Sequence, residues 1–455
     1  MVFEHLLRVD VTSAALLLWG TMNPKLSLFP ITSEVNSRGC LTIGGVDAAE
    51  LARRYGTPLY VFDEATLRAR CRDFKREFAG RYNNTVIAYA GKAFMHGALA
   101  AILKEEGFGL DVVSAGEWYI AESGGFPPER VYFHGNNKSA DELKLALEHG
   151  IGRIVVDNLD ELGLLAGLAA ESGCTPKILL RITPGVDAHT HGHLTTGTVS
   201  SKFGIPLPRA EEAISRAMSC ASVDLVGLHF HLGSMIDELP PYLDAMDLVL
   251  NLVAGMGQKY GFELKELDIG GGFGVQYTLD NLAPEIGLFA NSITEHLIER
   301  CRNLNLTPPQ LTIEPGRAIV AQAGVALYCV GTIKEVGESL YVAVDGGMSD
   351  NVRPALYEAR YEVLSAEKAS DSEMAQVAIV GRSCESGDIL IKQTMMARPV
   401  AGDIVAIPVC GAYCLPMASN YNALPKPAIA LVSNGTARLI RRRETWQDLM
   451  RNDVV

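Results

Sequence analysis

The chain has 455 residues, of which 48% are hydrophobic and 20% are charged, and its formal net charge at pH 7 is −13. This length exceeds what one hydrophobic core usually supports, so two domains are expected, and the acidic balance argues against a nucleic-acid-binding surface, which needs a basic face. Nine cysteines without a C-x-x-C pair favour neither a zinc ribbon nor a disulfide framework, and they fit a reducing cytoplasm.

Residues 1–21 do not have the pattern of a targeting segment. The apolar stretch Ala14–Trp19 is short for the core of a signal peptide, and no small-residue cleavage site follows it. Nothing in the chain approaches the ~20 apolar residues that span a bilayer, so no membrane segment is predicted. Met22 offers another start, which leaves residues 1–21 as an extension without an assigned role.

A short helix and a strand are predicted next. Asp47-Ala-Ala-Glu50 has the capping-box pattern that begins a helix, and Gly56 with Pro58 ends it. Leu59–Phe62 follows as an apolar strand. Asp63 then caps a helix whose apolar side chains recur at helical spacing up to Gly80.

From residue 85 onward, strands and helices alternate. Each strand is a largely apolar run, which is typical of parallel strands covered on both faces. Eight such repeats over about 250 residues have the length and period of a (β/α)8 TIM barrel. An open doubly wound sheet is the alternative, and the absence of a Gly-x-Gly-x-x-Gly turn after the first strand argues against it. The predicted strands are Thr85–Ala90, Gly109–Val113, Arg130–Phe133, Arg153–Val156, Lys177–Ile182, Val223–His231, Leu264–Ile269 and Gln310–Ile313.

After Gly316 the pattern changes to short β-rich runs separated by Gly, Pro and Asn. Asn434-Gly435, after the last run, is a strong hairpin signal. We therefore predict a barrel over residues 63–317 and a second, all-β domain over 318–455, which the N-terminal segment 22–62 joins. The predicted strands of the second domain are Val320–Val330, Leu340–Val344, Met374–Val380, Asp403–Val409 and Pro427–Val432.

Polar side chains stand at the ends of the predicted barrel strands, where such barrels carry their active sites. Lys92 follows the first strand, and an amine there can form an ion pair, contact a phosphate or form an imine. A solvated loop lysine is the ordinary alternative, and the convergence of other polar groups argues against it. Those groups are Ser114, His134, Asn136, Asp157, Arg181, His231, Ser234, Glu314 and Arg317.

The loops after the seventh and eighth strands predict an anion site. They read Asp268–Gly274 (DIGGGFG) and Glu314–Arg317 (EPGR). Glycines let backbone N–H groups approach an anion, and an arginine adds a bidentate cation. Together with the lysine, these loops suggest pyridoxal 5′-phosphate. Lys92 would form the imine, helped by a depressed amine pKa, Glu314 would face the pyridine nitrogen, and His231 would stack on the ring.

Several motifs resemble one family, the alanine-racemase-like, fold-type III pyridoxal-phosphate decarboxylases. Within it, the resemblance is closest to the branch that converts meso-2,6-diaminopimelate to L-lysine and CO2, the last step of lysine biosynthesis. It covers about residues 26–440. The motifs are Ala88–Ala93, Gly227–Ser234, Asp268–Gly274, Glu314–Arg317 and Cys384–Asp388, supported by Arg181–Gly185, Thr190-His191, Ser201–Ile205, Arg353–Tyr357, Gly411–Cys414 and Ser419–Asn422.

The resemblance implies a role for each matching residue. Lys92 would bind the cofactor covalently, and Cys384 would be the acid that returns a proton. In the family this cysteine is contributed across a dimer interface, which implies a homodimer. Cofactor contacts are implied for Lys92, His231, Ser234, Gly271, Gly272, Glu314, Gly316, Arg317 and Tyr413, and substrate contacts for Arg317, Arg353, Tyr357, Glu385 and Tyr413.

Two positions depart from the family pattern. Phe94 stands where asparagine is common, and Met235 stands where glutamine is frequent. Neither substitution removes a reacting group, but the sequence does not define what shape they give the pocket. A related enzyme acting on ornithine, arginine or carboxynorspermidine is one alternative, although Glu385 suits the distal ammonium of diaminopimelate.

Two alternatives come from other classes. The histidines of Ala188–His193 and His229-Phe-His231 invite a zinc hydrolase on the same barrel. We expect no metal, because such a site needs carboxylates at other strand ends, whereas this rim carries phosphate-type loops. A binding protein without activity would be expected to have lost Lys92 or Cys384, and both are present.

Overall fold

The computed structural model of the chain describes residues 23–186, 201–337 and 339–454. The extension 1–21 and the motifs Thr190-His191 and Ala188–His193 lie outside these residues. The described chain contains a small sheet near its start, a parallel barrel and a second large sheet. The small sheet consists of Glu34–Val35, Leu41–Ile43 and Val46–Asp47.

Eight parallel strands close into a barrel, which confirms the prediction from the alternating pattern. The last strand pairs with the first, with Leu311 opposite Thr85, so the sheet closes on itself. A short added strand, Ile205–Pro206, pairs beside the fifth. The barrel strands are Thr85–Ala90, Gly109–Val112, Val131–Phe133, Arg153–Val156, Lys177–Thr183, Asp224–His229, Glu266–Asp268 and Gln310–Ile313.

Helices cover the outside of the barrel with their apolar faces inward. The predicted capping box at Ser139 and Glu142 is present, and it begins the helix Ala140–Glu148. The described barrel helices are Glu64–Phe74, Gly97–Glu105, Ala115–Ser123, Ala140–Glu148, Leu159–Ser172, Ala210–Met218, Pro240–Tyr260 and Ile286–Asn303. Among the described residues, none of the helices is long and apolar enough to cross a membrane.

Side chains fill the barrel axis. Ala88, Tyr132, Val155, Leu179 and Val226 come from five different strands, and they pack together as a buried cluster. Because the axis is occupied, small molecules can approach the barrel only at its ends.

The second large sheet is built from the C-terminal region and one N-terminal strand. Leu59–Asp63 pairs antiparallel with Gly324–Val336 and parallel with Ala428–Ser433, which confirms that the early segment joins this sheet. The other strands are Ser339–Val344, Leu364–Ser365, Met374–Val380, Ile389–Ala397, Ile404–Ile407 and Thr436–Arg441, and short helices span Ala48–Tyr55, Arg317–Val320, Arg353–Tyr357 and Trp446–Leu449.

The hairpin predicted at Asn434-Gly435 is present. Ser433 pairs with Thr436, and both turn residues have positive φ, as a two-residue hairpin requires. Sequence reasoning missed Thr436–Arg441 and Ile389–Ala397 as strands. Both lie at an end of the sheet order and carry polar or charged side chains, so their sequences lack a long apolar run.

The barrel and the second sheet pack against each other around the end of the first barrel strand. Phe94 lies 4.4 Å from Phe62, with the two rings stacked. The backbone N–H of Tyr413 donates to the Ala93 carbonyl oxygen at 2.8 Å. Gly411 allows the close approach, because a Cβ there would lie 1.8 Å from the Val320 carbonyl oxygen. These contacts bring side chains of the second sheet to the rim of the barrel.

Candidate active site

A cavity of about 530 Å³ opens where the carboxyl ends of the barrel strands meet the second sheet. Side chains from both parts of the chain line it, as expected for a barrel whose chemistry gathers at the strand ends. Of the residues singled out from the sequence, those that line the cavity are Lys92, His134, Asn136, Arg181, His229, His231, Ser234, Gly272, Glu314, Gly316, Arg317, Arg353, Tyr357 and Tyr413.

Lys92 lies in a single helical turn, Gly91–Ala93, directly after the first barrel strand. Burial by itself lowers the pKa of this amine, but Tyr413, Asp111 and Glu314 outweigh burial and raise the pKa above its ordinary value. The expectation of a depressed pKa is therefore wrong for the protein chain alone. The amine is charged at neutral pH and faces the anions of the cavity.

Glu314 ends the eighth strand, buried between two histidines. Its Oε1 lies 2.7 Å from His134 Nε2, and its Oε2 lies 3.5 Å from His229 Nε2. Burial would raise the pKa of this carboxyl, but its contact with His134 above all holds the pKa well below its usual range. An ionised carboxylate on the cavity wall fits a protonated pyridine nitrogen.

His229 and Asp268 lie beside this carboxylate. Burial lowers the pKa of His229 to about 3, so its ring is neutral. Asp268 accepts the Gly270 N–H at 2.9 Å through Oδ1, and burial raises the pKa of this carboxyl well above its usual range. His229 Nδ1 lacks a hydrogen-bond partner in the described part of the chain, whereas His229 Nε2 and the Asp268 carboxyl both contact Glu314.

The four groups His134, His229, Asp268 and Glu314 lie within 4.8 Å of one another. The carboxylates that a metal site needs are therefore present at the strand ends, and the argument that this rim lacks them is wrong. The cations Lys92 and Arg181 line the same cavity. Two fixed positive charges oppose the binding of a metal cation and favour an anionic ligand.

The ring of His231 faces the cavity in a defined tautomer. Its Nδ1 accepts the backbone N–H of Gly271 at 3.2 Å, so the neutral ring carries its proton on Nε2. Burial, together with the charges of Lys92 and Arg181, lowers the pKa of this ring well below its ordinary value. A neutral imidazole on the cavity wall fits the predicted contact with the face of an aromatic ring.

The glycine loop brings backbone to the cavity wall. Gly272 has φ of 107°, and a Cβ there would lie 2.8 Å from the Gly233 oxygen and 2.9 Å from Tyr242 Oη. A Cβ on Gly271 would lie 2.1 Å from the Glu314 backbone oxygen, so Gly271 packs against the eighth-strand loop. It is not among the described residues that line the cavity. The loop leaves space that a side chain would fill, which fits the close approach of an anion.

Two arginines converge next to this loop. Arg317 Nη1 and Arg353 Nη1 both donate to Tyr277 Oη, at 2.7 and 3.0 Å. Arg317 Nη2 also donates to Ser234 Oγ at 2.9 Å, and Arg353 Nη1 donates to Tyr361 Oη at 2.5 Å. Neutral hydroxyls thus hold two guanidinium groups together, and this arrangement attracts phosphate or carboxylate groups.

Tyr413 reaches the cavity from the second sheet. Its backbone has φ of 61°, and the N–H bond to Ala93 fixes it beside Lys92. The Arg317 guanidinium lies 4.6 Å from the centre of the Tyr413 ring. A non-glycine residue in this conformation is held by its surroundings, which is common in functional sites.

Cys384 and Glu385 lie elsewhere. Both are exposed, and neither is among the described residues that line the cavity. Their loop is nevertheless ordered by polar contacts. Asn422 Oδ1 accepts the Cys384 N–H at 2.7 Å, and the buried Asp388 accepts the N–H groups of Ser383 at 2.8 Å and Met348 at 2.6 Å. Within one chain, the structure does not bring the two predicted residues to the other site residues.

Sequence reasoning missed several residues of the site. Asp111 is buried on the cavity wall, and burial raises its pKa. A carboxylate inside the apolar strand Gly109–Val112 was the signal that could have revealed it. Arg181 was named without a role, and its guanidinium lies 4.4 Å from the centre of the Phe203 ring. Tyr277 follows the glycine loop and had no such signal.

The two departures from the family pattern have different surroundings. Phe94 is 3% exposed and stacks on Phe62, so it belongs to the packing between barrel and sheet. Met235 is partly buried and has φ of 60° next to Ser234. Neither is among the described residues that line the cavity.

Residues 64–321 match the family model of the pyridoxal-dependent decarboxylases, in the part described as the pyridoxal binding domain. The chain belongs to this family, and its cofactor is pyridoxal 5′-phosphate. The ionised Glu314 on the cavity wall, the glycine loop and Lys92 fit that cofactor. These matches favour neither a zinc hydrolase nor a binding protein without activity.

Over nearly its whole length the chain is similar to diaminopimelate decarboxylases. It is 45% identical to that of Bacillus subtilis (strain 168), over 93% of this chain and 97% of the relative. It is 40% identical to that of Synechocystis sp., over 95% of this chain and 94% of the relative. The structure of diaminopimelate decarboxylase from M. jannaschii has a TM-score of 0.88 at 35% identity, with 94% and 98% covered. The structure of the Helicobacter pylori enzyme complexed with L-lysine has a TM-score of 0.81 at 33% identity, and the match covers 88% of this chain and 98% of that one.

Proposed function

We propose that the protein decarboxylates meso-2,6-diaminopimelate to L-lysine and CO2, the last step of lysine biosynthesis. The observation that carries the proposal is one cavity in which an amine, an ionised carboxylate and a pair of arginines converge, in a chain similar over nearly its whole length to diaminopimelate decarboxylases. The cavity thus offers partners both for a cofactor and for a substrate with two amino-acid ends.

The residues proposed to hold the cofactor surround Lys92. Glu314 would pair with the pyridine nitrogen, and the neutral ring of His231 would cover one face. The anion-binding groups would hold the phosphate; these are Ser234, Gly272, Gly316 and Arg317, with Tyr413 beside them. Gly271 would act through His231, whose Nδ1 accepts its N–H. When bound, pyridoxal phosphate supplies a protonated ring that accepts the electron pair left as a carboxylate leaves.

The substrate would bind next to the cofactor, with Arg317 and Tyr413 within reach of both. Arg353 and Arg317 carry charge toward a carboxylate, and Tyr357 and Tyr413 line the wall beside them. Charge-assisted pairs of this kind orient the ligand, so that the bond to be broken is held in one direction. Glu385 would pair with the distal ammonium group.

Cys384 would return the proton. The C–CO2 bond breaks, CO2 leaves, and the thiol proton of Cys384 goes to the carbon that lost the carboxylate, which completes L-lysine. Cys384 and Glu385 are exposed and lie apart from the cavity of their own chain, so we propose that a second copy receives them. The active enzyme would then be a homodimer with sites at the subunit interface.

We propose domain boundaries and a cellular location as well. We assign residues 63–317 to the barrel domain and 318–455, with 22–62, to the second domain. We also place the enzyme in the cytoplasm, because all nine cysteines are free and a biosynthetic decarboxylase with a reactive thiol suits a reducing compartment.

The test of function is the visible spectrum and the product. Purified protein with pyridoxal phosphate should show a visible cofactor band, release CO2 from meso-diaminopimelate and form L-lysine. Ornithine and arginine, assayed in parallel, should react much more slowly. Turnover of ornithine or arginine that matches or exceeds turnover of diaminopimelate would overturn the substrate assignment.

A mixing experiment tests the shared site. Lys92→Ala and Cys384→Ala should each be inactive as homodimers. After the two are mixed in equal amounts and exchange subunits, about a quarter of wild-type activity should return, because half of the dimers are mixed and each mixed dimer has one intact site. No recovery, despite demonstrated subunit exchange, would show that each chain uses its own Cys384.

A further inference from the structure

Tyr277 joins the two arginines of the cavity. It lies in the loop after the seventh strand and is 7% exposed. Its hydroxyl oxygen accepts a hydrogen bond from Arg317 Nη1 at 2.7 Å and another from Arg353 Nη1 at 3.0 Å. The same ring lies beneath both cations, with the guanidinium carbons 5.8 and 4.8 Å from its centre.

The two arginines come from distant parts of the chain. Arg317 begins the short helix after the eighth strand, and Arg353 begins a helix in the second-sheet region. Two guanidinium groups repel each other, and a buried pair needs an acceptor between them. Tyr277 supplies this acceptor with a single oxygen, whose two lone pairs are both used.

A second tyrosine also supports Arg353. Tyr361 accepts the other proton of Arg353 Nη1 at 2.5 Å, and its ring meets Tyr277 edge to face at 5.5 Å. Arg317 has a different second partner, Ser234. Tyr277 is therefore the group, among the described residues, that contacts both arginines and so defines the distance between them.

We propose that Tyr277 is a positioning residue that determines selectivity for ligands carrying a carboxylate at the distal end. This inference rests on the proposed function. Tyr277 is not among the described residues that line the cavity, so it acts through Arg317 and Arg353. Without its hydroxyl, the two cations lose their common acceptor and move apart, and a carboxylate then meets one of them instead of both.

The test compares two ligands that differ only in this carboxylate. L-lysine retains it, whereas 1,5-diaminopentane has the same chain and both amines without it. In the holoenzyme, Tyr277→Phe should weaken the binding of L-lysine about tenfold, as expected for lost hydrogen bonds to charged groups. The affinity for 1,5-diaminopentane should change less than twofold. With meso-diaminopimelate, KM should rise about tenfold and kcat should change less than twofold.

Tyr82→Phe is the matched control. Tyr82 also uses its hydroxyl in a partly buried contact, donating to the Pro309 oxygen at 2.6 Å, but at the opposite end of the barrel. It should leave both affinities and the kinetic constants unchanged. At saturating pyridoxal phosphate, the bound cofactor measured by visible absorbance should be equal in all three proteins, which would show that the variants are folded and loaded.

The outcomes separate the inference from the function beneath it. Equal weakening of both ligands by Tyr277→Phe, or unchanged L-lysine affinity, in an enzyme whose wild type forms L-lysine from diaminopimelate, would overturn the role of Tyr277 alone. A wild type that neither forms nor binds L-lysine would overturn the proposed function, and the role of Tyr277 with it.

Discussion

Replacing Gly272 with alanine would put a methyl group into the loop that approaches the cavity. A Cβ there would lie 2.8 Å from the Gly233 oxygen and 2.9 Å from Ile236 Cδ1 and Tyr242 Oη. The φ of 107° adds about 1–3 kcal/mol for a residue with a side chain. Overpacking of this kind costs about 1–3 kcal/mol more. The free energy of unfolding should therefore fall by about 2–6 kcal/mol.

The same substitution should weaken cofactor binding, because the loop can relieve the clash only by shifting its backbone. Each 1.4 kcal/mol of lost contact weakens binding tenfold, and we expect pyridoxal phosphate to bind about 10–100-fold more weakly. The assay is a titration of cofactor into cofactor-free protein followed by visible absorbance, with urea unfolding in parallel.

Gly163→Ala is the control for this prediction. Gly163 is exposed on the helix Leu159–Ser172, and a Cβ there meets nothing within 4 Å. Alanine should leave cofactor affinity unchanged and stabilise the helix by about 1 kcal/mol. Wild-type cofactor affinity in Gly272→Ala would refute the assignment of this glycine to the cofactor site.

Three further predictions concern the site and its support. Lys92→Ala should lose the visible cofactor band and at least about 10³-fold in turnover, whereas the exposed Lys144→Ala should match wild type; a retained band with turnover would refute the role of Lys92. His229 has a pKa of about 3 in the fold and about 6.5 when unfolded, so the unfolded chain binds an extra proton between these values. The free energy of unfolding therefore decreases by about 1.4 kcal/mol for each unit by which the pH is lowered in this range. His229→Gln should lack this contribution in urea unfolding of cofactor-free protein between pH 6.5 and 5, and parallel curves would contradict it. Phe94→Ala removes a buried ring stacked at 4.4 Å on Phe62 and should cost about 3–5 kcal/mol of stability, and a loss under about 1 kcal/mol would refute this packing role.

Local pattern determined the architecture well. The apolar runs from Thr85 to Ile313 carry strand-forming residues between amphipathic helices, and a parallel strand covered on both faces has few other environments available. Turn chemistry was equally direct at Asn434-Gly435, since both positions need positive φ. The edge strands Ile389–Ala397 and Thr436–Arg441 were missed because half-exposed strands with charged side chains lack that apolar signal.

Some features of the site could also be predicted from the sequence, and others could not. Lys92 and Glu314 were visible in the sequence because each stands at the end of an apolar strand, and strand ends of a barrel share one rim. The protonation of Lys92 was predicted wrongly, because it depends on Asp111, Glu314 and Tyr413, which reach it from other strands and from the second sheet.

The sequence by itself determined which chemical groups the rim carries, since these follow from short motifs beside predicted strands. Only the tertiary structure decided how the groups act on one another. The histidines around Glu314, and the hydroxyl of Tyr277 between Arg317 and Arg353, join residues that are 40 or more positions apart in the chain. Such contacts depend on barrel closure and on the packing of the second sheet, and no local pattern encodes them.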